Sequence, residues 1–576
     1  MRLLSLSLCL ISTVGYAAKP APFPVTPNNT GESFMVSATN PYVSSTGYTI
    51  LKQGGNAIDA MVAMQMVMSV VEPDMTGIGG GTFALYFDNK TNQFHALDGR
   101  DEAPASASPD MFVENGKAIS RDEILGPRSV AVPGTLRLMY SAHQEYGSMP
   151  WAELLKPAID LAKNGYAMNS YTYDIVVREQ ARLINDPEIK ALYWKDGEIQ
   201  PTGTLMKNPA IAHTLEMIAQ KGDSYLYGGE FGKNIVETVN SRIEGDKPKL
   251  SIDDFKNYQM KKREVVETDY RGNTVISFGY PASGGMMVSQ TLELLEPYNI
   301  AKMPITDAEP WRLMAEAMRV SRADRITYAG DPDYVEVPAD EMLSKGYIDE
   351  RRKLIPKEGS ADKNPKAGEL SEEQPAQHQE FESKDTGHIS ILDSAGNAIA
   401  MTSTIGTGMG SGVMVDGVIM NAQMANFSAS PTFKGKPVQN TIEPGKRPRS
   451  AITPLMVLDK NDELRLIVGS PGSSQIPGYV LKTLVGIIDW NLSAQEAIDL
   501  PNIQYGTKID RTKAKDPTGL LVEKKTFAEM LVPELIQQGY PVHVIPVVSG
   551  LNAIEIKDGK VYGASDRRRA SSSMGE

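Results

Sequence analysis

Residues 357–385 constrain this chain more than any other stretch. From Lys357-Glu358-Gly359-Ser360 to Lys384-Asp385 the sequence is polar, charged and almost devoid of large apolar side chains. Such a segment cannot bury enough surface to order itself, so it reads as a flexible linker. The residues after it have the opposite character. His388-Ile389-Ser390-Ile391-Leu392-Asp393 has the composition of a buried strand, Ser394-Ala395-Gly396-Asn397 of a turn, and Ala398 to Ile405 of the return strand of a hairpin. Thr386 therefore stands where a mobile segment meets the first strand of a core sheet.

That position permits one kind of chemistry. A threonine hydroxyl is a weak nucleophile without an adjacent base. If the chain is cut between Asp385 and Thr386, the freed α-amino group can act as that base, because its pKa of roughly 7.7–8.0 lies near working pH. The same hydroxyl can make the cut by attacking the preceding carbonyl, after which water hydrolyses the ester. Other nucleophiles lack support. The single cysteine, Cys9, lies in the N-terminal apolar run, and no Gly-x-Ser-x-Gly elbow is present, since Gly410-Ser411 and Gly469-Ser470 do not fit it. No His-Glu-x-x-His or comparable cluster signals a metal, and no cofactor motif is evident. The turn Gly77-Ile78-Gly79-Gly80-Gly81 lacks the Lys-Ser/Thr ending of a phosphate loop, and its glycines are expected to serve backbone geometry. His388, the one histidine near the junction, reads as structural.

The N-terminus places this chemistry outside the cytoplasm. Met1-Arg2, an apolar run from Leu3 to about Ala17, and small residues at Ala17-Ala18 read as a secretory signal peptide over 1–18, too short for a membrane span. The protein is then periplasmic or secreted, and without Cys9 it has no thiol. The formal charge of −13 argues against nucleic acid and anionic membrane surfaces as partners. Arg567-Arg568-Arg569 is expected to be a solvated tail. Residues 44–71 read as one long buried helix, Trp151 to Asn164 and Glu309 to Tyr328 as amphipathic helices, Thr82 to Phe87 as a buried strand, and Tyr280 to Gly285 as a turn.

Along most of residues 33–568 the chain resembles the γ-glutamyltransferase (glutathione hydrolase) family. The matching segments occur in the family's order: Gly54-Gly55-Asn56-Ala57-Ile58-Asp59-Ala60, Glu72-Pro73 with Gly77 to Gly81, Leu97-Asp98-Gly99-Arg100-Asp101-Glu102-Ala103-Pro104, Val132-Pro133-Gly134 and Ser283-Gly284-Gly285. Ala323-Asp324-Arg325 with Gly330-Asp331-Pro332, Thr386-Gly387-His388, Gly469-Ser470-Pro471-Gly472 and Gly563-Ala564-Ser565-Asp566 complete the series. The resemblance implies an α/β fold, the four-layer αββα sandwich of N-terminal-nucleophile hydrolases. It also implies a precursor cut before Thr386 into a large chain, 19–385, and a small chain, 386–576, that stay associated. In that family Thr386 matches the nucleophile, Thr404 the threonine that positions it, and the N–H groups of Gly472 and Ser473 the oxyanion hole. Arg100 and Ser450 match groups that grip the substrate α-carboxylate, and Gln423 and Asn426 positions near its amino group. The implied partners are a γ-glutamyl or related acyl donor such as glutathione, and water or an amino acceptor, with no cofactor.

Several positions depart from the family's pattern. Gly406 stands where the family usually has Asn, Ala425-Asn426 where it has two acids, Ser450-Ala451 where it has two serines, and Ser473 where it has a second glycine. Segment 428–447, the expected lid, is shortened and has no tyrosine. The carboxylate-binding arginine is kept while the anion for an α-ammonium is gone. This leaves two expectations for the donor: glutathione-like γ-glutamyl amides, or glutaryl amides and poly-γ-glutamate that present no free α-amine. A non-catalytic binding protein kept as one chain is the remaining alternative.

Overall fold

The computed structural model describes residues 29–361, 365–370, 373–377, 385–507 and 518–576. The expected signal segment and part of the expected linker lie outside these residues.

Strand alternation builds the layers. In Gly387–Leu392 and its hairpin partner Ala398–Thr404, Ile389, Ile391, Ile399 and Met401 join one apolar cluster with the helix Ala57–Val71. Leu392, Ala398 and Ala400 point the other way, into a second cluster with Met456, Ile467 and Ile554 of another sheet. That period of two puts a helix layer on one face and a sheet on the other. The second sheet in turn buries Val275, Val457 and Leu466 against helices Ser283–Leu295, Ala308–Tyr328 and Ile476–Ile488. The order is helix, sheet, sheet, helix, as expected for the αββα sandwich.

Each central sheet has seven strands, all paired antiparallel. The first runs Lys261–Arg263, Gln93–Gly99, Gly81–Asp88, Ala398–Thr404, Gly387–Leu392, Met35–Ala38, Ser572–Gly575. The second runs Thr30–Gly31, Lys560–Ser565, Asn552–Lys557, Leu464–Gly469, Leu455–Leu458, Asn273–Phe278, Val265–Tyr270. Segments before and after residue 386 interleave in both. Met35–Ala38, for example, pairs with Gly387–Leu392 on one side and with Ser572–Gly575 on the other. A cut at 385–386 would leave these ladders and the buried faces intact, so the two parts would remain one body.

Four sequence expectations need correction. The helix read over 44–71 is two, Pro41–Lys52 and Ala57–Val71. Gly54 takes φ +90°, a conformation L side chains rarely adopt, and Asn56 restarts the helix with a capping box to Asp59. Ala308–Tyr328 is not amphipathic: nearly all of it is buried, including the ion-paired Arg319 and Glu316. The turn at Tyr280 is short, because helix Ser283–Leu295 begins inside it. Part of the expected linker packs on the body: Ala367 and Ala376 are buried, and Arg351 donates to Lys366 O (3.0 Å).

Asp59 closes the first helix layer. Its buried carboxylate accepts from the N–H groups of Asn56 (2.9 Å), Ser148 (3.0 Å) and Met149 (3.2 Å) and from the Ser148 hydroxyl. Asp59→Ala strands these donors. We expect a loss of about 3 kcal/mol, read as a lower urea midpoint, since bonds to a charged group are worth about 1.5–3 kcal/mol and orphaned donors add their desolvation cost. An unchanged midpoint would remove Asp59 from the account of this layer.

Candidate active site

The hairpin brings Thr386 and Thr404 side by side. Gly387 pairs with Ser403 in the ladder, so the residues just outside that pair face each other at the strand ends. Thr386 Oγ1 lies 3.5 Å from Thr404 Oγ1, which donates to the carbonyl oxygen of Asp385 (3.1 Å) and accepts from Gly406 N–H (3.0 Å). One hydroxyl thus touches both the candidate nucleophile and the carbonyl that a self-cleavage would attack.

The bond between residues 385 and 386 is held from both ends. The Asp385 carboxylate accepts from Tyr171 Oη (2.8 Å) and Gly408 N–H (2.7 Å) and pairs with Arg178 Nη2 (3.2 Å). The Thr386 carbonyl accepts from Arg569 Nη1 (3.3 Å), whose guanidinium stacks on Tyr171 at 4.3 Å. The basic run at 567–569 is therefore not a solvated tail. Arg568 is ion-paired with Glu523 and Asp566, Arg569 reaches the junction, and only Arg567 is exposed. The loop after the hairpin is pinned by Ile405 N–H to Met75 O and Met409 N–H to Asp74 O. Behind it lie two buried acids. Burial, with the Asp74 charge second, pushes the Glu72 carboxyl up to about 7, and burial pushes Asp74 up to about 6. His388 lies under the sheet, bonded to Thr402 and Ser390. Burial pushes its imidazole down to about 3, so it stays neutral and structural.

A cleft opens beside Thr386. Thr386, Thr404, Arg100, Asn426, Ser450 and Ser473 line it, which gathers six of the eight expected site residues. Gly472 sits one residue back in the turn at φ +135°, where a Cβ would lie 2.5 Å from the Tyr479 ring. Ser473 follows at φ +60° and leads into helix Ile476–Ile488. Gln423 does not line the cleft: it is fully buried, donating to Thr404 O (3.5 Å) and accepting from Asn426 Nδ2. No residue of the shortened segment 428–447 lines the cleft either.

Arg100 is buried, with Nε bonded to Pro448 O (3.2 Å) and with neither terminal nitrogen hydrogen-bonded. Its nearest acid, Asp101, stands 3.8 Å away, and burial pushes that carboxyl up to about 8. A buried guanidinium with both terminal nitrogens open at a cleft wall is suited to receive a carboxylate in a fork. Two further arginines, Arg325 and Arg449, line the same cleft, and sequence reasoning did not name them as site residues. Arg325 belongs to the Ala323-Asp324-Arg325 motif, but nothing in one sequence tells an arginine of the cleft wall from one outside it, such as Arg447. Among the described residues, no group of His, Cys, Asp and Glu that could hold a metal ion occurs, and no helix is long and apolar enough to cross a membrane.

Comparison with known proteins shows what the chain is similar to. The family model described as gamma-glutamyltranspeptidase matches residues 43–576. The chain is 36% identical over 485 residues to the glutathione hydrolase proenzyme of Bacillus subtilis (strain 168), covering 82% of this chain and 81% of the relative. It is 32% identical over 549 residues to the Acylase ACY 1 proenzyme of Pseudomonas sp. (strain V22), covering 93% and 92%. In fold it is similar to a cephalosporin acylase from Bacillus halodurans, with a TM-score of 0.83 at 24% identity over 98% of this chain and 99% of that one.

Proposed function

The chain belongs to the gamma-glutamyltranspeptidase family, and from that premise we propose how its site works. It is a self-processed γ-glutamyl hydrolase and transferase. In the precursor, Thr386 Oγ1 attacks the Asp385 carbonyl carbon. The C–N bond breaks, its nitrogen takes the proton and becomes the Thr386 amine, and water hydrolyses the resulting ester. The contact of Thr404 Oγ1 with both Thr386 Oγ1 and the Asp385 carbonyl oxygen is the observation that carries this reading. The Asp385 side-chain anchor and the Arg569 bond support it by fixing the peptide on either side.

In the cut enzyme the Thr386 amine takes the hydroxyl proton as Oγ1 attacks the γ-amide carbonyl of a donor. Arg100, with Ser450, holds the donor's α-carboxylate. The N–H groups of Gly472 and Ser473 stabilise the oxyanion, usually the largest single catalytic contribution. The leaving amine departs with the proton, and water or an amino compound then takes the acyl group from Thr386. We read residues 1–18 as an export signal, so the reaction takes place outside the cytoplasm.

A second reading of the donor rests on the cleft wall. Among the described residues that line it none is Asp or Glu, and Asn426 stands where an acid would meet an α-ammonium. Donors without a free α-amine, such as glutaryl amides, then fit as well as glutathione. The test compares kcat/KM for a γ-glutamyl anilide and the matching glutaryl anilide. An advantage of a hundredfold for the γ-glutamyl compound, roughly 2.7 kcal/mol of transition-state discrimination, would restore an ammonium site. We expect the two to be equal or the glutaryl compound to win.

A further inference from the structure

Asp101 lies beside the cleft arginine without closing on it. Both side chains are buried, and their closest approach, 3.8 Å, is longer than a hydrogen bond. Among the described residues, no other residue hydrogen-bonds either Asp101 oxygen or either terminal nitrogen of Arg100. The Asp101 carboxyl is seated against Gly81, the last glycine of the Gly77 to Gly81 turn. A Cβ at Gly81 would lie 2.2 Å from Asp101 Oδ2 and 2.8 Å from Asp101 N. The seat exists because residue 81 has no side chain, which gives this glycine a use in backbone approach.

The other charges around the pair are matched among themselves. Asp98 pairs with Arg447 (2.9 Å) and Arg263 (2.9 Å), and Glu102 pairs with Arg447 (2.6 Å). Tyr258 donates to Arg100 O (2.7 Å) and stacks on Tyr227. Burial pushes both phenols up, so they stay neutral. Arg100 and Asp101 are left to set the charge that a ligand meets at this point of the cleft wall.

A neutral Asp101 leaves the whole Arg100 charge for a donor's carboxylate. An ionised Asp101 puts a second carboxylate 3.8 Å from the same guanidinium. Two carboxylates sharing one buried site repel, and one of them is driven to take a proton. Burial already pushes the Asp101 carboxyl up to about 8, against the opposing pull of Arg100. The sign follows: carboxylate affinity is full while Asp101 is protonated, and it falls as pH rises through the Asp101 titration.

We propose that Asp101 is a positioning residue that acts through Arg100, so that capture of the donor's carboxylate is coupled to one proton held on Asp101. The proton comes from solvent and stays on the Asp101 carboxyl while the donor is bound. The inference rests on the reading of Arg100 as the group that holds the donor's carboxylate, and it names what regulates that group.

The test uses 5-oxohexanoate, which has one carboxylate and a ketone in place of the reacting amide. Its affinity is measured by calorimetry on the cut wild-type enzyme and on Asp101→Asn, which keeps the side-chain shape and is neutral at every pH. From about pH 7 to about pH 9.5 the wild-type affinity should fall by about tenfold more than that of the variant, since one proton is coupled to binding. Any fall common to both belongs to the Thr386 amine, and equal falls overturn the proposal. A second measurement needs no change at Asp101. The uncut Thr386→Ala chain, which has no amine at 386, is titrated at about pH 8.5 in buffers of different ionisation enthalpy. It should take up about half a proton or more per ligand bound, and binding without uptake overturns the proposal. Failure of the Arg100 reading is seen separately, because Arg100→Met would then bind 5-oxohexanoate as wild type does at every pH.

Discussion

Thr386→Ala will leave the protein as one uncut chain and abolish amide turnover. Removing the nucleophile of such a unit costs at least about 10⁴-fold in rate. Here the loss is compounded, because the same hydroxyl must first release the amine that serves as its base. Among the described residues, the hydroxyl that the substitution removes has as its side-chain hydrogen bond the long one to Thr404 (3.5 Å), while Tyr171, Gly408, Arg178 and Arg569 continue to hold the junction. The variant should therefore fold, with circular dichroism like that of an uncut wild-type chain, and intact mass should show no product ending at Asp385. Thr386→Ser keeps a hydroxyl and should still split. If the alanine variant were cut at this bond, a group other than Thr386 would be the nucleophile.

Arg100→Met should reduce kcat/KM by about 10²–10³ while changing stability little. Truncating one partner of a buried charge pair costs about 2–5 kcal/mol, and each 1.4 kcal/mol is tenfold. Before substrate arrives this pair does not exist: the two terminal nitrogens of Arg100 are buried and unbonded, and Asp101 is 3.8 Å away with its carboxyl pushed up to about 8 by burial. Methionine keeps most of the volume and removes a charge that costs free energy to bury, so an unfolding midpoint within about 1 kcal/mol of wild type is expected. The loss should fall on donors that carry the α-carboxylate, and Arg100→Lys should not rescue it, because an ammonium lacks the planar fork. A large fall in stability with unchanged kcat/KM would instead make Arg100 the structural partner of Asp101.

Much of the site is legible because its parts are local or lie on a hairpin. Thr386 is marked by the change from polar segment to apolar strand, and Thr404 is named by the family resemblance, with the hairpin register placing it beside Thr386. Gly472 and Ser473 lie in a turn dense in Gly, Ser and Pro. Gln423 shows where such reading stops. Its motif placed it near the donor, but the chain buries it beneath Asn426, and no periodicity distinguishes a residue under a cleft from one in its wall.

Long-range charge placement is less legible still. Arg447 and Arg449 are two residues apart and chemically identical, yet only the second lines the cleft with Thr386. Arg569 reads as part of an exposed basic run and is instead bonded to the Thr386 carbonyl. In each case the deciding partner is separated by a hundred or more positions along the chain. The helix read over 44–71 broke for a local reason that was visible: Gly54-Gly55-Asn56 carries both a positive-φ terminator and a cap.

The sequence by itself determined the layer order, the hairpin that starts at Thr386, the candidate nucleophile, and the loss of an acid for an α-ammonium, because each comes from the side-chain period, turn chemistry or ordered family motifs. Tertiary structure alone decided three things. It interleaved strands from both sides of residue 386, so that one cut would leave a single body. It anchored the peptide at 385–386 with side chains from distant elements. It gathered Arg100, Arg325 and Arg449 at one cleft, which depends on how strands and helices far apart in the chain pack, and burial strengthens the effect of such charges where solvent would screen them.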